Sequence, residues 1–195
     1  DFSFYSDRKL YVHNMGHSTT AYLAEYLNYE YIWEAIYDSK IRYFVRSAMI
    51  ESAMALSKKY KQDLSKIINH IDNLLMRFAN QATGDTCDRV GRDPIRKLKA
   101  DDRFLGALKL CVDQDMFCPH LSLGVAAGLL KLEKTPEFEF DDIKSYLLQE
   151  APWIFDDQYI DTIKLLDQQI DSLRDGFSFK EQIDLLNSAS PKKIP

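Results

Sequence analysis

Apolar residues recur three and four positions apart through "YLAEYLNYEYIWEAIYDSKIRYFVRSAMIESAMALSKKY" and again through "DLSKIINHIDNLLMRFAN", the spacing that turns one face of an α-helix toward a core. Sustained strand-like alternation is absent, so no sheet is available and the helices must pack on one another. The expected fold class is all-α, a multi-helix domain with short loops. Breaks are expected at 80–94, 115–120, 134–142, 151–153 and 174–178, each carrying Gly, Pro or clustered Asp and Asn. Asp63, before Lys66, and Asp141, before "IKSYLL", are candidate helix caps or first-turn acids. The tail "NSASPKKIP" reads as frayed. No internal repeat or low-complexity linker interrupts the chain, and residues 1–195 read as a single helical domain.

A formal net charge of −5 gives no general basic field, so neither nucleic acid nor an anionic membrane surface is an expected partner. Any anion site must be local. Cys87, Cys111 and Cys118 are an odd number without CxxC spacing, which argues against a disulfide scaffold or a structural zinc site and for a reducing compartment. No stretch is apolar and long enough to span a bilayer, and a cytoplasmic location is the expectation.

The segment "KLYVHNMGH" (9–17) concentrates Lys9, His13, Asn14 and His17 beside Gly16. On an α-helix at about 100° per residue these polar groups, with Thr20, share one arc. Glycine inside a helix costs roughly 1 kcal/mol relative to alanine, and close approach by another chain or a ligand is a common reason to accept that cost. A merely solvated polar face is the plain reading. Chemistry can use the same set differently: a lysine of lowered pKa removes a hydroxyl proton while an amide and an imidazole hold the oxygen where charge develops.

Lys-x4-Asn-x2-His followed by an all-helical chain resembles the polyol-specific long-chain dehydrogenases, the mannitol dehydrogenase family. A second block, "DRVGRDPIRKL" (88–98), is similar to a segment of the mannitol-1-phosphate 5-dehydrogenase branch, and the resemblance runs to about residue 130. It implies a C-terminal helical domain like that of 6-phosphogluconate dehydrogenase, in an NAD-dependent enzyme oxidising a secondary alcohol without a metal. Lys9 would be the general acid/base, Asn14 would donate a hydrogen bond to the reacting oxygen, and His17 would hold that oxygen or a neighbouring hydroxyl. Arg89 and Lys97 correspond to positions that reach the polyol. His13 falls where the family leaves its choice free, and reads as pocket wall. Arg92, Arg96 and Lys99 make the second block locally basic, which suits a phosphate at Arg92 and Arg96; Lys99 reads as solvated.

No GxGxxG and no strand–turn–helix unit precede the first motif. The expectation is a substrate domain whose partner is its own N-terminal dinucleotide-binding domain, which would hold the NAD. The partner molecule is a small polyol or polyol phosphate, with mannitol 1-phosphate and fructose 6-phosphate as the leading pair. An unphosphorylated polyol, or a sugar acid such as fructuronate or tagaturonate, is the alternative. A non-catalytic helical association module is the contrasting class, since the Tyr-rich helices could present a contact surface.

Elsewhere, His70 reads as packing on an amphipathic helix. His120 with Cys111 and Cys118 lacks metal-site spacing, so buried thiols are expected. The site is expected to be one groove near a helix start, lined by Lys9, Asn14 and His17 and faced by Arg89 and Lys97.

Overall fold

The computed structural model describes residues 2–189, and the all-α fold read from the spacing is what forms. Helix α1 (Phe2–Arg8) runs through a π-helical turn, Lys9–Asn14, into α2 (Met15–Tyr26). Then come α3 (Ile32–Tyr37), α4 (Ser39–Tyr60) and α5 (Leu64–Phe78). Two short helices follow, α6 (Cys87–Gly91) and α7 (Pro94–Lys97), and after them α8 (Leu105–Val112) and α9 (Pro119–Glu133). The chain continues through α10 (Ile143–Glu150) and α11 (Ile160–Arg174) to α12 (Phe179–Ala189). Among the described residues no strand forms, and a single antiparallel bridge joins Tyr31 to Thr86.

Local chemistry sets the boundaries. Asp38 caps α4 by accepting the Lys40 N–H at 2.7 Å, and Asp63 caps α5 by accepting the Ser65 N–H at 2.9 Å. The cap of α10 is Asp142, which accepts the Ser145 N–H, rather than its neighbour Asp141. The 80–94 break is partly helical: Thr86 Oγ1 accepts the Arg89 N–H to start α6, and Asp93 with Pro94 at the first helical position starts α7. In the tail, Asn187 to Ala189 close α12, and the remainder of "NSASPKKIP" lies outside the described residues.

Helix α2 is buried over most of its circumference, from Met15 and Gly16 through Ser18–Ala24. It packs on α4, α6 and α9, and small residues permit the close crossings. A Cβ on Gly16 would meet Met49 Sδ of α4 at 2.5 Å, and one on Gly124 of α9 would meet Thr19 Oγ1 at 2.7 Å. The close approach anticipated at Gly16 is therefore by a core methionine, and not by a ligand. Gly16 and Thr20 leave the polar arc for the interior, where the Thr20 hydroxyl donates to the Gly16 carbonyl at 2.8 Å.

A carboxylate locks α4 to α9. Glu51 in mid-α4 accepts the N–H groups of His120 (3.1 Å) and Leu121 (2.7 Å), capping a helix whose own cap position, Cys118, supplies no side-chain bond. The His120 ring lies with Nδ1 2.6 Å from the same carboxylate, and all three cysteines are free and buried.

These crossings make a test. Gly16→Ala gains helix propensity of up to about 1 kcal/mol but forces a methyl into fully buried Met49, and overpacking of that kind costs about 1–3 kcal/mol. The variant should unfold at lower denaturant than wild type, and Gly16→Ala with Met49→Ala should lose less than the two single changes summed. Unchanged or raised stability in Gly16→Ala would show that the α2–α4 crossing has slack.

Candidate active site

The π turn comes first, because it sets where the 9–17 segment points. The Met15 N–H donates to the Leu10 carbonyl, a five-residue step in place of the α-helical four. The Lys9–Asn14 interval is the same five-residue step, so Lys9 and Asn14 stand on one face a single wide turn apart. His17, three residues further in α geometry, continues that stripe. A uniform α-helical projection separates Lys9 from Asn14 too widely. Lys9 is exposed and Asn14 half-buried, and neither side chain has a hydrogen-bond or ion-pair partner among the described residues.

Where α2 meets α6 and α7, a groove of about 570 Å³ opens. His17 and Ser18 line it from α2, Arg89 from α6, Arg92 and Asp93 from the intervening turn, Arg96 and Lys97 from α7, with Asp85 and Arg103 from loops. The structure thus gathers His17, Arg89, Arg92, Arg96 and Lys97 in one place, while Lys9 and Asn14 lie outside the lining, on the turn that leads into α2. Ser18, Asp85, Asp93 and Arg103 are additions that the sequence reading did not name.

The tie between the 80–86 loop and α3 positions Asp85. The Glu30 backbone carbonyl accepts the Cys87 N–H at 2.8 Å, the Asp85 carbonyl accepts the Ile32 N–H at 3.0 Å, and Gly84 takes the left-handed φ of +59° that the turn before Asp85 requires. The Asp85 carboxylate pairs with Arg89 and lies 3.4 Å from His17 Nε2.

Lys97 is buried, 4% exposed, and its ammonium donates to the Val90 and Arg92 carbonyls at the end of α6. It caps that helix, satisfying carbonyls that would otherwise be orphaned; the ammonium also lies 5.8 Å from the centre of the Tyr22 ring, and one of its three N–H donors has no hydrogen-bond acceptor among the described residues. Burial, with Arg103 and Arg96 nearby, lowers its pKa to about 8. Arg92 is exposed and its Nε donates to the Arg89 carbonyl at 3.3 Å; Arg96 is exposed and bound to Asp93 at 2.8 Å.

His17 stacks on Phe78 with ring centroids 4.6 Å apart, and His13 lies 5.7 Å from the same ring. Burial first, then the fields of His13, Arg89, Lys97 and Arg103, lower the His17 pKa to about 4. His13 is lowered to about 4 as well, by burial and then by Arg77, His70 and Lys9. A neutral His17 makes no salt bridge with Asp85 despite their proximity, and its Nε2 is buried without a hydrogen-bond partner among the described residues. The groove thus presents an orphaned imidazole nitrogen among guanidinium groups, which suits an oxygen-rich, anionic ligand. Among the described residues no cluster of His, Cys, Asp or Glu could hold a metal ion, and no helix is long and apolar enough to cross a membrane.

Residues 1–153 match the family described as "Mannitol dehydrogenase C-terminal domain". The mannitol-1-phosphate 5-dehydrogenase of Caldanaerobacter subterraneus subsp. tengcongensis is 41% identical over 126 residues, 65% of this chain and 33% of that protein. Its counterpart in Thermoanaerobacter pseudethanolicus is 37% identical over 150 residues, 75% of this chain and 39% of that protein. The chain therefore spans about a third of the length of these curated relatives. A solved structure of Pseudomonas fluorescens mannitol 2-dehydrogenase, a ternary complex with NAD and D-mannitol, aligns with 98% of this chain and 42% of its own at a TM-score of 0.68. At 18% identity that likeness speaks for the fold.

The electrostatics give a titration test. His13 and His17 imidazole signals should titrate near pH 4 by NMR, below the ordinary value of 6.5. Because the folded pKa is the lower one, the unfolded chain takes up protons first as pH falls, so stability is full above about 6.5 and declines from there toward 4. A His13→Gln, His17→Gln double variant should show a shallower decline. Titration of either imidazole near 6.5 would mean that the groove does not hold it neutral.

Proposed function

This chain belongs to the mannitol dehydrogenase family as its C-terminal domain, and on that footing we propose that it is the substrate-binding and catalytic half of an NAD-dependent polyol dehydrogenase interconverting mannitol 1-phosphate and fructose 6-phosphate. The observation that carries this reading is the buried, partnerless Nε2 of His17, held neutral in a groove shared with Arg89 and Lys97. Such a nitrogen bonds an alcohol or carbonyl oxygen without adding charge to a cationic site.

The chain's own part concerns the proton, the oxygen and the polyol. Lys9 takes the hydroxyl proton as the alcohol is oxidised and returns it in the reverse direction. The Asn14 amide donates to the oxygen on which negative charge develops, and His17 bonds that oxygen or its neighbour. Along the groove Arg89 and the free N–H of Lys97 take polyol hydroxyls, and Arg92 and Arg96 at the rim face the phosphate. The stripe formed by the π turn and α2 supports this order, since it runs from Lys9 through Asn14 to His17 and into the groove.

The described residues do not fit a dinucleotide. They form no strand and no glycine-rich strand–turn–helix crevice, so NAD, the hydride acceptor, belongs to a separate dinucleotide-binding half of the protein. No metal enters the scheme.

Lys9→Ala, made in the full-length protein that contains this chain, should cut kcat for mannitol 1-phosphate oxidation by at least about a hundredfold with NAD affinity nearly unchanged, because the base acts only in the transition state. Rates near wild type would remove Lys9 from the mechanism. Turnover of fructuronate or tagaturonate in place of the polyol phosphate would reassign the substrate to the sugar acids.

A further inference from the structure

Arg103 sits in the loop "KADDRF" before α8, and its surroundings differ from those of every other cation in the groove. Arg89 is paired with Asp85, Arg96 with Asp93, and Lys97 is committed to two carbonyls. Arg92 and Arg96 are exposed, whereas the Arg103 side chain is only 11% exposed. Asp102 fixes its plane, accepting the Arg103 backbone N–H at 2.6 Å and Nε at 2.9 Å through one oxygen. Nη1 donates to Ser18 Oγ at 3.3 Å, and Ser18 is fully buried beside His17.

These contacts engage Nε and one N–H of Nη1. A guanidinium carries five N–H donors, and the others have no protein acceptor among the described residues. Withdrawing a guanidinium from water without filling its donors is unfavourable, and an arriving oxyanion offsets that cost. The Asp102 carboxylate also lies 3.7 Å from Arg96 Nη1, linking the rim arginine to the buried one.

We propose that Arg103 and Ser18 form the seat for the substrate's terminal phosphate, with Arg96 closing over it from the rim, so that Arg103 is the residue that distinguishes a polyol phosphate from a plain polyol. This rests on the polyol-phosphate reading of the groove. Oxidation at the fifth carbon of a 1-phosphate puts the phosphate four carbons from the reacting centre. The anion seat must therefore lie along the same groove as His17, whose lining includes Arg103 and leaves out Lys9. The planar fork fits two phosphate oxygens, and the Ser18 hydroxyl, which accepts from Arg103, keeps its own proton free to donate to a third.

The test compares kcat/KM for mannitol 1-phosphate with that for mannitol in the full-length protein. In Arg103→Gln the ratio of the two should fall by at least about a hundredfold, and in Arg103→Lys, which keeps the charge beside Asp102 but loses the fork, by at least about tenfold. Ser18→Ala should lower the ratio several-fold. A ratio unmoved in Arg103→Gln, with both activities falling together, overturns the seat and makes Arg103 a loop anchor. A second measurement needs no turnover: inorganic phosphate titrated calorimetrically into wild type and Arg103→Gln. Binding at least about tenfold weaker in the variant supports the seat even if wild type oxidises no polyol phosphate, the outcome that would sink the proposed function instead. Equal binding in the two proteins, or none to wild type, overturns the seat.

Discussion

The fold turns on the burial of α2 between α4 and α9. Met49 seats against the bare Cα of Gly16, and Thr19 and Tyr22 seat against Gly124 and Gly128. With two long helices pressed this closely, α2 turns its remaining flank to the short helices α6 and α7, beside which the groove opens. His17 and Ser18 stand on it. The site's stiffness comes from this arrangement, because a helix walled in on its other sides cannot rotate its polar edge away without parting the core. Catalytic groups held by packed elements keep their geometry better than groups held by loops.

Charge is distributed with similar economy. A chain with five more acids than bases places its local excess of cations where α2, α6 and α7 meet, and holds three of the four guanidinium groups there with carboxylates. Asp85, Asp93 and Asp102 each bind an arginine. Their effect is orientation as much as neutralisation. Burial first, and then the cationic field that remains, keep His17 uncharged, which a lone neighbouring carboxylate would tend to reverse.

The helical architecture was legible because long amphipathic helices write their period into the sequence. In α5 the buried residues Ile67, Ile71, Leu74, Leu75 and Phe78 follow that period closely. The helices α6 and α7 were not legible, since five and four residues are too few to show a period and their caps resemble turn chemistry. Of the site, the two motif blocks were legible through a family resemblance, and the structure brings His17 together with Arg89 and Lys97. Arg103 and Asp85 were hidden in "KADDRF" and "TGDT", loops whose convergence on His17 depends on tertiary packing alone. At Gly16 the sequence left a packing partner and a ligand both open, because a gap made for a ligand and a gap made for Met49 look alike from one chain's sequence.

The wide turn between Lys9 and Asn14 has a consequence for how such a sequence can change over time. A turn carrying one residue more than its flanks is the mark that a single-residue insertion leaves in an α-helix, and its length is a discrete quantity. Loss or gain of one position there would swing Lys9 and the whole of α1 about the axis of α2 while the rest of the helix kept its register. The spacing of the motif is therefore what keeps Lys9 and Asn14 on one stripe with His17.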